Sequence, residues 1–131
     1  MNMNRYENNA YFWQKIDALY LSGDFIETHH RGEGHPIYPE LKFPLTYGTL
    51  KIDDYDNQKI SAFKGSKSKQ VEAIALCADI LNKDVEIKFL IGLSEEEEEM
   101  VLKFLDQTEF QKSVLIRRGN DIPYWNDDEV V

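Results

Sequence analysis

The spacing of apolar residues predicts two helices, one near each end of the chain. From Asn9 onward, apolar side chains recur at three- and four-residue intervals, which places them on one face of a helix that Gly23 would end. Ser94 and Glu97 form a capping box that predicts the start of a second helix. The acidic run Glu95–Glu99 is then a solvated helix start, because carboxylates favour the first turn of a helix. The apolar face of this helix would consist of Met100, Val101, Phe104 and Leu105.

Short apolar or alternating runs separate the two helices and predict β-strands. The runs are 25–28, 46–52, 59–63, 71–81 and 85–91, and a last one, 114–116, follows the second helix. Periodicity alone also allows a buried helix over 71–81. Runs 46–52 and 59–63 are arranged as a hairpin. The order predicts an α+β fold, a small antiparallel β-barrel or sheet flanked by an N-terminal and a C-terminal helix.

Neither an internal repeat nor a linker divides the sequence. We interpret it as a polar lead-in (1–8), a single domain (9–118) and an acidic tail (119–131). The N-terminal residues contain no apolar h-region, and no run approaches the roughly 18 apolar residues of a membrane span. We therefore expect a cytoplasmic protein. The only cysteine, Cys77, lies in an apolar run and is expected to be buried.

The charge balance narrows the classes of partner. The chain has 15 basic and 24 acidic residues, a formal net charge of −9. This charge repels phosphates, so we expect neither a nucleic acid nor an anionic membrane as a partner. It suits a cationic protein, or carboxylates clustered around a metal ion. The third explanation of the negative charge is that it only keeps the protein soluble.

Three separated motifs resemble the soluble inorganic pyrophosphatases. Segment 43–50 contains Pro44 followed by Tyr47-Gly48, similar to the tyrosine-glycine signature of that family. Segment 25–27 resembles the early strand that ends in a metal-site glutamate, and Asp79 with the later segment 86–88 resembles the second group of ligands. The resemblance covers roughly residues 11–118, including a terminal Leu-Ile-Arg-Arg sequence at 115–118 typical of a shorter branch.

The resemblance implies a pyrophosphatase-like fold and a Mg²⁺-dependent site. In such a site Mg²⁺ is held by carboxylate oxygens and makes a bound water nucleophilic, while cationic side chains neutralise the leaving phosphate. By this resemblance the metal ligands would be Glu27, Asp56, Asp79 and Glu86, and the phosphate-binding residues would be Tyr47 and Lys88.

The hairpin turn departs from the family pattern. Asp56, Gln58 and Ser61 stand where the family has three aspartates, so two anionic ligands are replaced by neutral oxygens. Asp53 and Asp54 could substitute only if the turn is remodelled, because a shift of one residue moves a side chain to the other face of a strand.

The candidate residues also have purely structural interpretations. Tyr47 can be a core aromatic residue. Glu86 and Lys88 alternate with Val85, Ile87 and Phe89, which is typical of the water-facing side of a strand. Asp79 lies among apolar neighbours and is expected to need a partner. His29, His30 and His35 lack the spacing of a zinc site and are expected to be exposed loop residues.

Two functions remain open from the sequence. The first is a catalytically degenerate pyrophosphatase-fold protein that binds a basic protein, for instance an immunity protein that neutralises a basic toxin, and that needs no cofactor. The second is a Mg²⁺-dependent pyrophosphatase or related phosphoanhydride hydrolase with a rearranged site. For the first function, the predicted partner-binding residues are Asp53, Asp54, Asp121, Tyr124, Trp125, Asp127, Asp128 and Glu129.

Overall fold

A computed structural model describes residues 5–52, 59–107 and 111–119. Helix α1 precedes five strands, and helix α2 separates these from a sixth. The elements are α1 (Arg5–Leu21), β1 (Asp24–His29), β2 (Thr46–Lys51), β3 (Lys59–Lys64), β4 (Val71–Asp79), β5 (Asp84–Ile91), α2 (Glu95–Asp106) and β6 (Gln111–Arg117). The α+β class and the two helices are confirmed, and the ambiguous run at 71–81 is a strand.

The strands form one mixed sheet in the order β1-β2-β3-β5-β4-β6. The β2–β3 hairpin is antiparallel as expected, but β3 and β5 pair in parallel, so the prediction of an antiparallel sheet is wrong. After β3 the chain forms β4, which is not the neighbour of β3 in the sheet. A tight turn then leads into β5, which lies between β3 and β4 and pairs with both. Within the described residues β1 and β6 are the two edges, and the sheet does not close into a barrel.

Gly92 makes the crossover between β3 and β4 possible. The crossover loop passes over the end of β5, where Gly65 N donates to Ile91 O at 2.8 Å and Gly92 N donates to Gln70 O at 2.8 Å. Gly92 has a φ of +67°, and a Cβ atom there would lie 2.1 Å from Ser68 O. Only glycine combines this backbone conformation with so close an approach.

Alternating strand residues bury both faces of the sheet. One face packs against α2 and includes Phe63, Leu90 and Ala75. The other packs against α1, where Trp13 and Ile16 meet the sheet. The remaining buried sheet residues on the α1 side are Leu50, Ala62, Val71, Ile74, Phe89 and Ile91. Cys77 is buried on the α2 side, as expected.

Helix α2 begins with the predicted capping box. Ser94 N donates to Glu97 Oε1 at 2.9 Å, and Glu97 N donates to Ser94 Oγ at 3.2 Å. Its buried face differs from the prediction in two positions, because Met100 is 40% exposed whereas Glu98 is buried. Glu98 accepts a hydrogen bond from Arg117 of β6 at 2.7 Å. The expectation that the whole run Glu95–Glu99 is solvated is therefore wrong for Glu98.

Two consecutive arginines at the end of β6 hold the two helices. Arg117 binds Glu98 of α2, whereas Arg118 donates to Asp17 of α1 and lies over the ring of Trp13. Neighbouring residues in an extended chain point to opposite faces. The Arg-Arg pair noted in the sequence therefore has a structural role on both sides of the sheet.

Helix α1 begins at Arg5, earlier than the expected Asn9. Apolar periodicity detects only the part of a helix that has an apolar face, so a polar first turn escapes it. Among the residues described, no helix has the length and apolar character needed to cross a membrane.

Candidate functional site

Tyr47, Glu86 and Lys88 lie together on the α2 face of the sheet. Lys88 Nζ donates to Tyr47 Oη at 3.1 Å and to Glu86 Oε1 at 2.8 Å. Register explains the contact, because Tyr47 pairs with Phe63 of β3 and the nearby Ser61 pairs with Lys88 of β5. Residues from two separate sequence motifs are thus joined by hydrogen bonds.

Lys88 remains charged although it is only 8% exposed. Burial by itself would lower the pKa of the Lys88 ammonium, but interactions with Tyr47 and Glu86 outweigh it and raise the pKa above its ordinary 10.5. An ordinary alternating strand predicted that Lys88 faces water, and this prediction is wrong because the side chain is buried. Val85 and Ile87 are exposed instead, at 64% and 40%.

A cavity of about 210 Å³ opens beside Lys88, lined largely by rings. His29 stacks on Phe43 with 4.6 Å between ring centroids, and Phe43 lies 4.8 Å from Phe104. His35 also borders this cavity. The expectation of exposed loop histidines is therefore wrong for His29, which ends β1 and is 26% exposed at the side chain. A buried cation beside aromatic walls can hold a small organic anion.

Glu27 lies elsewhere, although the resemblance places it in the same site. It pairs with Gly48, the neighbour of Tyr47, so its side chain points to the opposite face of the sheet. A bulge after Glu27 shifts the register, so that His29 rather than Thr28 is paired with Tyr47. A Cβ at Gly48 would come 2.2 Å from Ile26 O, which explains the glycine of the Tyr-Gly motif.

Glu27 borders a separate cavity of about 520 Å³ together with Arg31 and Lys64. Its Oε2 is 2.6 Å from His30 Nδ1. This hydrogen bond, with the charge of Glu27 and of Glu33, raises the pKa of His30. His30 is 77% exposed at the side chain, as expected for that histidine.

Asp79 has a local partner at the end of β4. It accepts hydrogen bonds from the backbone N and the side-chain Nδ2 of Asn82, at 3.0 and 2.8 Å. These bonds lower the pKa of Asp79 and fix the turn into β5, in which Lys83 has a φ of +55°. Glu86 pairs with Cys77, farther along β4, and binds Lys88 instead.

The predicted convergence of Glu27, Asp79 and Glu86 in one cleft is therefore not seen. Each carboxylate binds a different neighbour, and the described residues contain no group of three or more His, Cys, Asp or Glu able to hold a metal ion. Ser61 lies on β3 and pairs with Lys88. Several predicted site residues lie outside the described residues, namely Asp53, Asp54, Asp56, Gln58, Asp121, Tyr124, Trp125, Asp127, Asp128 and Glu129.

Glu33 is a site residue that sequence reasoning missed. It pairs with His29 Nδ1 and accepts a hydrogen bond from His30 N at 3.2 Å, and the bond to His29 is the main cause that lowers the pKa of Glu33. The spacing of four residues between His29 and Glu33 was visible in the sequence. It gave no signal, because such spacing is informative only on a helix.

Comparisons with protein-family models, curated proteins and solved structures returned no match. The relation to pyrophosphatases therefore stays a resemblance of sequence motifs. What the geometry adds is the contact among Tyr47, Glu86 and Lys88, and the position of Glu27 on the opposite face of the sheet.

Proposed function

We propose that this chain acts by binding a basic protein, and that neutralising a basic toxin, as an immunity protein does, is the form this function takes. The observation that carries the proposal is the direction of the candidate carboxylates. Glu27, Asp79 and Glu86 each bind a different local neighbour, and Glu27 lies on the opposite face of the sheet from Glu86. A Mg²⁺ site needs several oxygen ligands in near-octahedral positions around one point.

The described residues include 16 acidic and 15 basic side chains, a net charge of −1, so the acidic start of α2 is the part of their surface that suits a cationic partner. Glu95, Glu96 and Glu99 are exposed at the start of α2, whereas Glu97 is used in the capping box and Glu98 binds Arg117. Three carboxylates are thus left for intermolecular contact on one helix. They add to the acidic turn and tail that the sequence indicates, within a net charge of −9.

An acidic surface of this kind acts mainly on the rate of association. Opposite charges raise the encounter rate of two proteins, and salt reduces the attraction over a Debye length of about 8 Å at physiological ionic strength. We therefore expect fast binding that weakens steeply with salt. The function requires no cofactor.

The experiment compares two variants that each lose three negative charges. One neutralises the tail with Asp127→Asn, Asp128→Asn and Glu129→Gln, and the other neutralises α2 with Glu95→Gln, Glu96→Gln and Glu99→Gln. Basic proteins retained from the source cell by the full chain would be identified, and their affinity measured at low and physiological salt. Hen lysozyme serves as a generic basic probe for unspecific attraction.

We expect a retained partner to bind at least about tenfold more tightly than lysozyme. The tail variant should lose more affinity than the α2 variant, because Tyr124 and Trp125 place aromatic anchors beside the tail charges. If the two variants lose the same affinity, or if no protein binds more tightly than lysozyme, the proposal is wrong and the negative charge serves only solubility.

A second candidate function is supported by one observation. Tyr47 is distant in sequence from the segment that holds Glu86 and Lys88, yet Lys88 is hydrogen-bonded to both, so the two phosphate-binding candidates, Tyr47 and Lys88, are in contact. A Mg²⁺-dependent pyrophosphatase with a rearranged site would use them with Asp53, Asp54 or Asp56 of the turn.

A further inference from the structure

The sheet carries an exposed apolar surface on the face against which α1 packs. It consists of side chains on β5 and β6 and at the turn between β4 and β5, which we call the turn-end patch. Its members are Ile80, Leu81, Val85, Ile87 and Val114, with exposures of 60%, 66%, 64%, 40% and 57%.

Strand register makes the turn-end patch continuous. Leu76 of β4 pairs with Ile87 on one side and Val114 on the other, so these side chains form a row across three strands. Val85 pairs with Ala78 in the next row. The patch extends the same face that α1 covers over Ile74, so it is a core-like surface that no element among the described residues covers.

The charges nearby are placed on the other face. Strand alternation turns Asp79, Asp84 and Glu86 away from the patch. In the two described rows, the charged position that shares the patch face is Lys112, which pairs with Ala78. Within these two described rows the patch face carries no carboxylate, which makes it unsuited to a basic partner and suited to an apolar one.

We propose that the turn-end patch joins two copies of this chain, sheet face against sheet face. A two-fold axis brings the same patch of both copies together, so an apolar surface supplies its own complement. Sheets packed in this way lie about 10 Å apart. The acidic surfaces then remain outside the contact.

The size of the patch fits the apolar core of such an interface. Five aliphatic side chains at these exposures present roughly 400 Å² of apolar surface, within the range that marks interaction sites. A standard interface buries about 800 Å² per partner, of which about 56–65% is apolar. The turn-end patch supplies most of that apolar share.

Sedimentation equilibrium of the full chain tests the proposal. We expect a mass that rises with concentration from 15.3 kDa to twice that value. Added salt should strengthen association, because it screens the repulsion between two acidic copies. This is the opposite of the salt effect expected for a basic partner, so the two proposals fail independently.

Variants locate the contact. Val85→Glu combined with Val114→Glu should raise the dissociation constant of the dimer at least about tenfold, because it places charges in a desolvated contact. The control is Leu21→Glu, at a residue that is 82% exposed at the end of α1 and outside the patch, and it should leave association unchanged. Val85→Thr is a milder variant that keeps a β-branched side chain in the strand.

Far-UV circular dichroism of each variant separates loss of association from loss of folding. A folded double variant that sediments as a monomer supports the proposal. A wild-type chain that stays at 15.3 kDa up to about millimolar concentration, or association that the folded patch variants leave intact, overturns it.

Discussion

A single bulge decides which β1 side chain is paired with Tyr47. Without the register shift after Glu27, the strand would keep its alternation and Thr28 would be paired with Tyr47. His29 takes that position and is bound by Glu33. The bulge therefore places the His29 imidazole, in place of the Thr28 hydroxyl, at the wall of the Lys88 cavity.

The pair formed by Glu27 and His30 can be observed by titration. The hydrogen bond from Glu27 raises the pKa of His30 above 6.5, and we expect NMR of the imidazole protons to show this in the wild type. Glu27→Gln should return the pKa toward 6.5, whereas Glu86→Gln, a carboxylate that binds Lys88 instead, should leave it unchanged.

The sign of the linked stability follows from that shift. A pKa raised on folding contributes stability below pH 6.5 and loses it as the pH rises through the folded value. The effect is small, because both side chains are largely exposed to solvent. A His30 pKa that does not respond to Glu27→Gln would contradict the pairing.

The candidate site could be predicted only in part from these residues. The motif match grouped Tyr47 with Lys88, and the two side chains are hydrogen-bonded because β3 pairs with β2 on one side and with β5 on the other. It could not place Glu27, because the motif does not state on which face of β1 the carboxylate lies. Nor could it show that Asp79 binds Asn82. In sequence, an aspartate that accepts hydrogen bonds within its own turn cannot be told from a metal ligand.

The contact between α2 and β6 depends on Glu98 and Arg117. Arg117→Met should lower the free energy of unfolding by about 2 kcal/mol, because it leaves the buried Glu98 carboxylate without its partner. The double variant Glu98→Leu, Arg117→Met should recover most of that loss, since neither charge is then left alone.

Urea denaturation of the wild type, both single variants and the double variant measures the coupling. The control is Lys67→Met, which removes an exposed partner 3.8 Å from Glu72 and should cost no more than about 0.5 kcal/mol. Additive losses in the double variant would show that Glu98 and Arg117 do not act as a pair.

The crossover at Gly92 should tolerate no side chain. Gly92→Ala should cost at least about 3 kcal/mol, because it combines a positive φ with an overlap onto the Ser68 carbonyl. Gly32→Ala is the matched control, since Gly32 has a φ of +86° but nothing within 4 Å, and it should cost only about 1 kcal/mol. Equal losses in the two variants would mean that the close approach at Gly92 is unimportant.

Secondary structure followed from the hydrophobic pattern more readily than topology did. The pattern gave both helices and six strands, and the capping box placed the start of α2. It could not give the parallel pairing of β3 with β5, because runs of similar composition do not state which neighbours they pair with. The exposure of Val85 and Ile87 also escaped it, because alternation does not reveal where the covering helix stops.

Hydrolytic activity tests the molecule as a whole. With excess Mg²⁺, we expect the purified chain to hydrolyse pyrophosphate little above background, because Gln58 and Ser61 are neutral and Glu27 points away from Lys88. Phosphate release would be measured for the wild type and for Lys88→Met. A rate on the order of 1 s⁻¹ or more, abolished by Lys88→Met, would favour the hydrolase.

The insertion of β5 between β3 and β4 also orders the events of folding. The β4–β5 turn is local and closes a short loop, whereas the pairing of β3 with β5 requires the crossover loop to settle over the end of β5 afterwards. Variants within the β4–β5 hairpin should therefore slow folding, and Gly92→Ala should mainly speed unfolding, as stopped-flow rates in urea would show. The loop 65–70, which passes over Gly92, would then be the last part to take its place. The lifetime of the folded chain therefore depends on six residues outside every strand and helix.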